Sequence, residues 1–365
     1  MDQNKQVLAC YLDFQKAFDT VPIPLLVLKL QGYGINGCLL RLLESFLTGR
    51  SQKVVINNQC SAEYYTESGV PQGSCIGPLL FLIYINDILD NMPQGVKCSL
   101  YADDSKLYTI NNPQLFQNAL DTIYNWSKKW KLTLCEKKCV VLNLNPGKAQ
   151  RVFTLGETPL KNVTEVADLG LTYTNKLSFN SYIDSRVKKA KARSNYVLRA
   201  FLSNEPRFLY KVFTIYIRPI LEYATEIWNP TNIKYVKKVE SVQKSFTYRI
   251  FNRTSLPYLN YQNRLRVLRT RSLKARRDET DLVTLYKIAH KKIGISGNDL
   301  FDFSLLRGRL RRHKFSIRPY LPRKDTFRSS FLIRPIKRWN ALPANVVESE
   351  SQTLFKRYTN KLNLA

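Results

Sequence analysis

Histidine is nearly absent from this sequence: His290 and His313 are the only two in 365 residues. Chemistry built on an imidazole base, or on a histidine-rich metal cage, has almost nothing to draw on. Cysteine is confined rather than absent. All seven lie between Cys10 and Cys139, the count is odd, and no Cys-x-x-Cys pair occurs. The closest two, Cys135 and Cys139, have no histidine near them, which argues against zinc and for reduced thiols inside the cell. A bilayer span needs roughly 20 apolar residues, and the longest apolar run, around Leu79–Ile85, falls far short. The opening MDQNKQVLACYLDF lacks the layout of a secretory leader. Acidic residues are outnumbered two to one, 28 against 57 Lys and Arg, for a formal net charge of +29.

What is present is a globular composition, 44% hydrophobic and 12% aromatic. The length suffices for two or three domains with at least one sizeable core. The charge is unevenly placed. Residues 1–150 carry 14 basic and 12 acidic residues, so a net +27 falls on residues 151–365. Such a segment repels itself until it meets a polyanion, which makes nucleic acid the leading partner and an anionic membrane surface the weaker one. With imidazole scarce, any catalytic reading has to rest on carboxylates.

Val7–Leu12 is a short apolar run ending at Asp13 and reads as a buried strand. Asp19 or Thr20, ahead of Pro22 and Pro24, reads as a helix start, with Asp19 as the cap. Helices follow over Leu25–Leu30 and Leu39–Leu47, the second closed by Gly49. Lys53–Ile56 and Glu63–Glu67 read as strands with a turn at Asn57-Asn58, and Pro78 opens an apolar helix to about Leu89. Cys98–Tyr101 and Lys106–Ile110 flank Ala102-Asp103-Asp104-Ser105, a hairpin signal. Leu115–Leu132 is an amphipathic helix, and Val140–Leu144, Val152–Leu155 and the stretch near Leu169–Tyr173 are strands. Beyond Leu177 the sequence turns helical, basic and aromatic: Ile183–Leu202, Phe208–Tyr223, Val236–Phe251, Leu259–Arg277 and Glu279–Ile293. Leu305–Arg338 is irregular and very basic.

Three features in the first third carry the chemistry. Asp13 ends a buried strand, Ser68-Gly69-Val70-Pro71-Gln72-Gly73-Ser74 precedes an apolar helix, and Tyr101-Ala102-Asp103-Asp104 occupies a hairpin tip. An isolated Asp-Asp in a hairpin is ordinarily a turn pair. Carboxylates from a strand end and a hairpin tip brought together repel one another, and divalent cations relieve that repulsion.

In this combination the sequence resembles the reverse transcriptases of non-LTR, LINE-type retrotransposons of the jockey and CR1 kind. Asp13-Phe14-Gln15-Lys16-Ala17-Phe18-Asp19 resembles their first palm motif, Ser68–Ser74 with Gly77-Pro78-Leu79 the second, and Tyr101-Ala102-Asp103-Asp104 the third. Leu132–Lys138 resembles the fourth, with Cys135 and Glu136 where Asn and Pro are usual. Leu169-Gly170 is similar to the primer grip, and Ile217–Tyr223, Trp228 and Trp339-Asn340-Ala341-Leu342-Pro343 resemble the C-terminal region. The resemblance implies an α+β fold, an antiparallel palm sheet backed by helices and then a helical thumb and a helical basic C-terminal region. The domains it implies are a palm over 1–173, a thumb over 174–230 and a nucleic-acid-binding region over 231–365.

It also implies roles. Asp13 and Asp103 would be the principal ligands of two Mg²⁺ ions (Mn²⁺ as a substitute), with Asp104 supporting them and the Phe14 carbonyl offered to a metal. Such ions activate a primer 3′-hydroxyl and stabilise the departing pyrophosphate. Phe18 would lie under the incoming sugar and select deoxynucleotides; its alternative is a core aromatic beside Ala17. Gln72 and Gly73 would lie against the templating pair, or else form an ordinary turn. Lys138 would protonate the leaving pyrophosphate, or with Lys137 form a solvated charge pair. Tyr101 is expected to pack beneath the hairpin.

The implied partners are an RNA template, a DNA primer and deoxynucleoside triphosphates, with no membrane, inside the nucleus or cytoplasm as a ribonucleoprotein. Two basic helices would track phosphates: one with Arg186, Lys188, Lys189, Lys191 and Arg193, the other with Arg264, Arg266, Arg269, Arg271, Lys274, Arg276 and Arg277. Arg307–Lys314 reads as a phosphate-binding loop or a nuclear-localisation signal. Only twelve residues precede Asp13, so the fingers and endonuclease regions of the family are expected to be missing and the chain to be a truncated copy. The rival readings are a non-catalytic nucleic-acid-binding relic, and an intron maturase or another polymerase on the same palm.

Overall fold

The computed structural model describes residues 5–145, 151–254, 257–303 and 313–361. The chain divides into two compact units, essentially residues 3–169 and 170–365.

The first unit is built on a five-stranded sheet. Its elements in chain order are β1 (Val7–Leu12), α1 (Ile23–Gly32), α2 (Gly37–Leu47), β2 (Arg50–Gln52), β3 (Val55–Ile56), β4 (Gln59–Cys60), β5 (Tyr64–Thr66), α3 (Gly77–Ile85), β6 (Lys97–Tyr101), β7 (Asp104–Ile110), α4 (Pro113–Lys129), β8 (Val140–Leu144), β9 (Thr154–Leu155), β10 (Thr158–Pro159), β11 (Lys161–Val163) and β12 (Glu165–Asp168). The sheet order is β11-β8-β1-β7-β6. The ladders β8-β1, β1-β7 and β7-β6 are antiparallel, while the edge strand β11 runs parallel to β8. The fold is therefore α+β, with one parallel edge on an antiparallel sheet.

Alternation along the strands explains which face is covered. Leu8, Cys10 and Leu12 of β1, Leu107 of β7 and Val141 of β8 are buried in one core with Leu26 and Leu30 of α1, Leu80, Phe81 and Tyr84 of α3, and Phe116, Leu120 and Ile123 of α4. That core also encloses a cation. The Lys29 ammonium lies 2.6 Å from Asp87 Oδ1 and 3.8 Å from the centroid of Trp130, with Tyr84 and Trp126 on its other sides. Trp126 Nε1 donates to the same Asp87 oxygen at 2.9 Å. The predicted turn at Asn57-Asn58 joins β3 to β4, with both residues at positive φ, as a two-residue hairpin loop requires.

The predicted helix start at Asp19 is corrected. Helix α1 begins at Ile23 with Pro22 as its N-cap and no side-chain cap. Asp19 is held elsewhere, as described below.

The second unit holds β13 (Leu171–Thr174), α5 (Asn180–Ala200), α6 (Pro206–Tyr216), α7 (Arg218–Glu222), α8 (Thr225–Trp228), α9 (Ile233–Phe251), α10 (Tyr261–Val267), α11 (Leu273–Ala289), α12 (Gly297–Leu300), α13 (Asp325–Arg328), α14 (Ile336–Asn340), α15 (Ala344–Val347) and α16 (Gln352–Lys361). One apolar cluster gathers α5, α6 and α9, and another gathers α11 with Trp339 of α14, Val347 of α15 and Phe355 of α16. Trp339 is fully buried, and its Nε1 donates to the Phe315 carbonyl at 2.8 Å.

Two predicted helices are broken. Phe208–Tyr223 divides at Ile217, because Pro219 opens α7 and a proline cannot continue the preceding helix. Leu259–Arg277 divides between Leu268 and Ser272: Arg269 takes φ +49°, and the Ser272 side chain accepts from Ala275 N as the cap of α11. Among the described residues, no helix is long and apolar enough to cross a membrane.

Candidate active site

The face of the sheet opposite the helices carries two rows of polar side chains. Register fixes them. Tyr11 of β1 pairs with Lys106 of β7 and with Val140 of β8, and Lys106 pairs with Ser99 of β6. Two residues further along each strand, and so on the same face, stand Asp13, Asp104 and Tyr101, with Lys138 leading into β8. The ladder ends at Leu12↔Ser105 and Tyr101↔Asp104, so the next step sets Asp13 beside Asp104. Both rows line one open cavity of about 570 Å³, closed on another side by Glu165 and Asp168.

The strand end is fastened rather than frayed. Cys135 N donates to the Asp13 carbonyl at 2.7 Å, Gln15 N donates to Thr133 O at 2.8 Å, and Phe14 bridges Leu134 between them. The 132–139 segment is thereby bonded onto the end of β1, which brings Lys138 Nζ to 3.3 Å from Asp13 Oδ2. In this bridge the Phe14 carbonyl is directed away from the Leu134 strand. Its ring goes the other way from Asp13, into the core, edge-on to Trp126 at 6.4 Å.

Asp103 sits in the two-residue turn between β6 and β7, beside Ala102 at φ +53°. Asp13, Asp104 and Lys138 line the cavity, whereas Asp103, on the turn, is not among the residues that line it. The carboxylates feel one another. Burial, followed by the negative charges of Asp103, Asp168 and Asp13, raises the Asp104 carboxyl above its ordinary value.

No three acidic, cysteine or histidine groups among the described residues converge as a ready-made metal cage. A hard divalent cation of the Mg²⁺ type does not need one: it takes one or two protein carboxylates and completes its shell with water and substrate phosphate. Asp13 and Asp104, adjacent and mutually repelling, fit that demand as donors.

Phe18, Gln72 and Gly73 belong to a second cluster. The loop 68–74 docks on the turn after Asp13: Val70 N donates to Phe18 O and Gly69 N to Val21 O, both at 2.8 Å. Gln72 Nε2 donates to Asp19 Oδ1 at 2.7 Å, and Ser68 Oγ to Asp19 O at 2.8 Å. Asp19 is thus a clasp for the loop and not a helix cap. The loop needs Gly69, since a Cβ there would lie 2.7 Å from the Asp19 carbonyl oxygen at φ +88°. Gly73, at φ +84°, faces open space. Phe18 stacks on Phe81 with centroids 4.3 Å apart.

Tyr101 is corrected: it is 68% exposed and lines the cavity instead of packing beneath the hairpin. Sequence reasoning missed Tyr11, Ser99, Lys106, Glu165 and Asp168. The period of two would have found Tyr11 and Lys106, two residues from Asp13 and Asp104; nothing local marks Asp168.

In the second unit α5 keeps Lys188, Lys189, Lys191 and Arg193 exposed. The other expected phosphate-tracking segment is corrected for most of its cations, only Arg266 and Arg269 staying exposed. Arg264 is buried and donates to Thr247 Oγ1 and to the carbonyls of Leu259 and Lys244. Arg276 pairs with Glu222, Arg271 with Glu279, and Lys274 with Asp278. Arg277 is buried against Asn229. Arg264 and Arg276 tie separate helices together and Arg277 ties α11 to Asn229, while the Arg271 and Lys274 pairs are local to the start of α11. Arg307–Lys314 lies outside the described residues as far as position 312.

Residues 1–173 match the family model described as reverse transcriptase (RNA-dependent DNA polymerase). The chain is 26% identical over 265 residues to the RNA-directed DNA polymerase from mobile element jockey of Drosophila funebris, covering 68% of this chain and 29% of that protein. It is 27% identical over 264 residues to the probable RNA-directed DNA polymerase from transposon X-element of Drosophila melanogaster, covering 66% and 28%. The chain therefore spans under a third of these relatives, and the similarity runs past residue 173. A solved telomerase from Candida tropicalis, in complex with a fragment of telomeric RNA, aligns over 72% of this chain and 42% of its own at 12% identity, with a TM-score of 0.39.

Proposed function

We propose that this chain, a reverse transcriptase domain over residues 1–173 and a homologue of non-LTR retrotransposon polymerases, extends a DNA primer on an RNA template by nucleotidyl transfer. Its family is RNA-directed DNA polymerase and works with divalent metal ions; here Mg²⁺ is the ion proposed. The observation that carries the reading is the row of Asp13 and Asp104 on adjacent strands, with Asp103 on the turn beside them and Lys138 against Asp13.

Bound Mg²⁺ would lower the pKa of the primer hydroxyl and neutralise charge on the triphosphate. Asp13 and Asp103 would be its principal ligands, with Asp104 supporting and the outward carbonyl of Phe14 adding a neutral donor. The fastened end of β1 and the two-residue turn hold these groups on rigid elements, so little reorganisation is needed when phosphate arrives. Lys138 would release Asp13 to the cation and then hold a proton for the leaving pyrophosphate. Phe18, backed by Phe81, offers a flat wall for a sugar, and the open face of Gly73 beside Gln72 leaves room for a base pair. We assign 1–173 to the palm, 174–230 to the thumb and 231–365 to a basic region, in a protein working as an intracellular ribonucleoprotein.

The test is primer extension on poly(rA)·oligo(dT) with dTTP and Mg²⁺, beside an RNA-binding titration. Asp103→Ala should lower extension by about 10²–10³-fold and leave RNA binding in place. A second reading, a binder without polymerase activity, draws on the exposed cations of α5. Binding without extension in the wild-type chain would establish that reading and overturn the first.

A further inference from the structure

The cavity contains a lysine–aspartate pair that the proposed reaction does not use. Lys106 stands two residues beyond Asp104 on the same face of β7, so its ammonium starts one side-chain spacing, about 7 Å, from the carboxylate row. Its Nζ lies 2.6 Å from Asp168 Oδ2 and over the ring of Tyr11, at 5.8 Å from the centroid. Both partners are well covered, the side chains being 31% and 17% exposed. Lys138, on the same face, shows what a lysine does there without such a tether: its ammonium rests on Asp13. The charged groups facing this cavity are Asp13, Asp104, Glu165 and Asp168 against Lys106 and Lys138.

We infer that Asp168 is a positioning residue that draws the Lys106 ammonium away from Asp13 and Asp104, and that the pair thereby sets how tightly the carboxylate row takes a divalent cation. The physical reason is competition. An ammonium within reach of Asp104 offers part of the neutralisation that a divalent ion supplies. Fixed on Asp168, it leaves that carboxylate open, while its charge still cancels the negative charge of Asp168 at the cavity wall. Removing either partner therefore disturbs the row in opposite directions. Without Asp168, Lys106 is freed to cover Asp104. Without Lys106, the negative charge of Asp168 near the row is no longer offset by that ammonium. The inference rests on the proposed function only in taking the carboxylates of Asp13, Asp103 and the supporting Asp104 as the place where the ion binds.

Binding of Mn²⁺, followed by loss of the free-ion electron paramagnetic resonance signal, tests it without any need for turnover. The full chain is titrated as wild type, Asp13→Ala, Asp168→Asn, Lys106→Gln and the Asp168→Asn/Lys106→Gln double variant. Asp168→Asn should weaken Mn²⁺ binding by about three- to tenfold, Lys106→Gln should tighten it by a similar factor, and the double variant should return close to wild type. In primer extension the half-saturating Mg²⁺ concentration should move the same way. A loss of folding would weaken binding in every variant, so the tightening by Lys106→Gln separates the tether from a merely structural pair. An unchanged affinity in Asp168→Asn, or shifts of the same sign in both single variants, overturns the inference while Asp13→Ala still abolishes binding. Failure of the wild type to bind Mn²⁺, or binding indifferent to Asp13→Ala, overturns the site assignment and the inference together.

Discussion

The two units use charge in opposite ways. The first is nearly neutral, yet its carboxylates Asp13, Asp103 and Asp104 are gathered where they repel one another. The second carries most of the +29, yet many of its arginines are spent inside it. Arg334 pairs with Asp281 at 2.7 Å, the two side chains being 7% and 4% exposed, and Arg264 and Arg277 are buried among helices. Net charge therefore does not locate function. The unit that looks electrostatically bland holds the unrelieved charge, and much of the charge in the basic unit is structural cross-linking.

The largest effect expected from this contrast is on stability in the second unit. Arg334→Ala leaves Asp281 buried and short of its main partner, and should destabilise that unit by about 3–5 kcal/mol. Hydrogen exchange should place the loss in α8 and α11, where Arg334 and Asp281 make their contacts, with the sheet of the first unit unchanged. Full protection in the variant would break the contrast.

In the first unit, Gly69→Ala forces a Cβ against the Asp19 backbone at positive φ and should cost about 1–3 kcal/mol. Chemical denaturation measures it, with Gly73→Ala, where the space is open, as the milder comparison. Exposed cations should behave differently again. Lys188→Gln/Lys189→Gln/Lys191→Gln should leave thermal stability in place and reduce the salt dependence of single-stranded RNA binding by about 2 in log-log slope, at roughly 0.7 per lost phosphate contact. An unchanged slope would remove α5 from the binding surface.

The smallest effect concerns pH. Folding raises the Asp104 carboxyl above 3.8, so the native state binds the proton more tightly than the unfolded chain. Stability contributed by this group is then lost as pH rises through the raised value. Asp104→Asn should accordingly raise the melting temperature at neutral pH, and the gain should shrink as pH falls toward 3.8. A gain independent of pH would mean that charge repulsion is not its source.

Much of the site was legible in the sequence because its motifs are local. Asp13 at the end of an apolar run, the Tyr101–Asp104 hairpin and the 68–74 loop each announce themselves within seven residues or fewer. The structure puts Asp13, Asp104 and Lys138 on one cavity, and the tie of Lys138 to Asp13 comes from strand-end bonds that no spacing encodes. What stayed hidden depends on pairing across long separations. Asp168 meets Lys106 across 62 residues, Asp87 and two tryptophans make Lys29 a buried residue, and Glu222 turns Arg276 from a phosphate ligand into a strut. The helix break at Arg269 was missed for a related reason. The basic, apolar alternation continued through it, and only the cap at Ser272 marked the new start.

On the proposed function, chemistry resides in the carboxylate row of the first unit and can be separated from grip on RNA. The direct measurement is transfer of labelled dTMP from dTTP to a primer on poly(rA), by wild type and by Asp13→Ala, at RNA concentrations where both are equally saturated. Mg²⁺-dependent transfer by the wild type is expected, with its loss, by about 10²-fold or more, in the variant with RNA affinity unchanged. Transfer that persists at the wild-type rate in Asp13→Ala would contradict it.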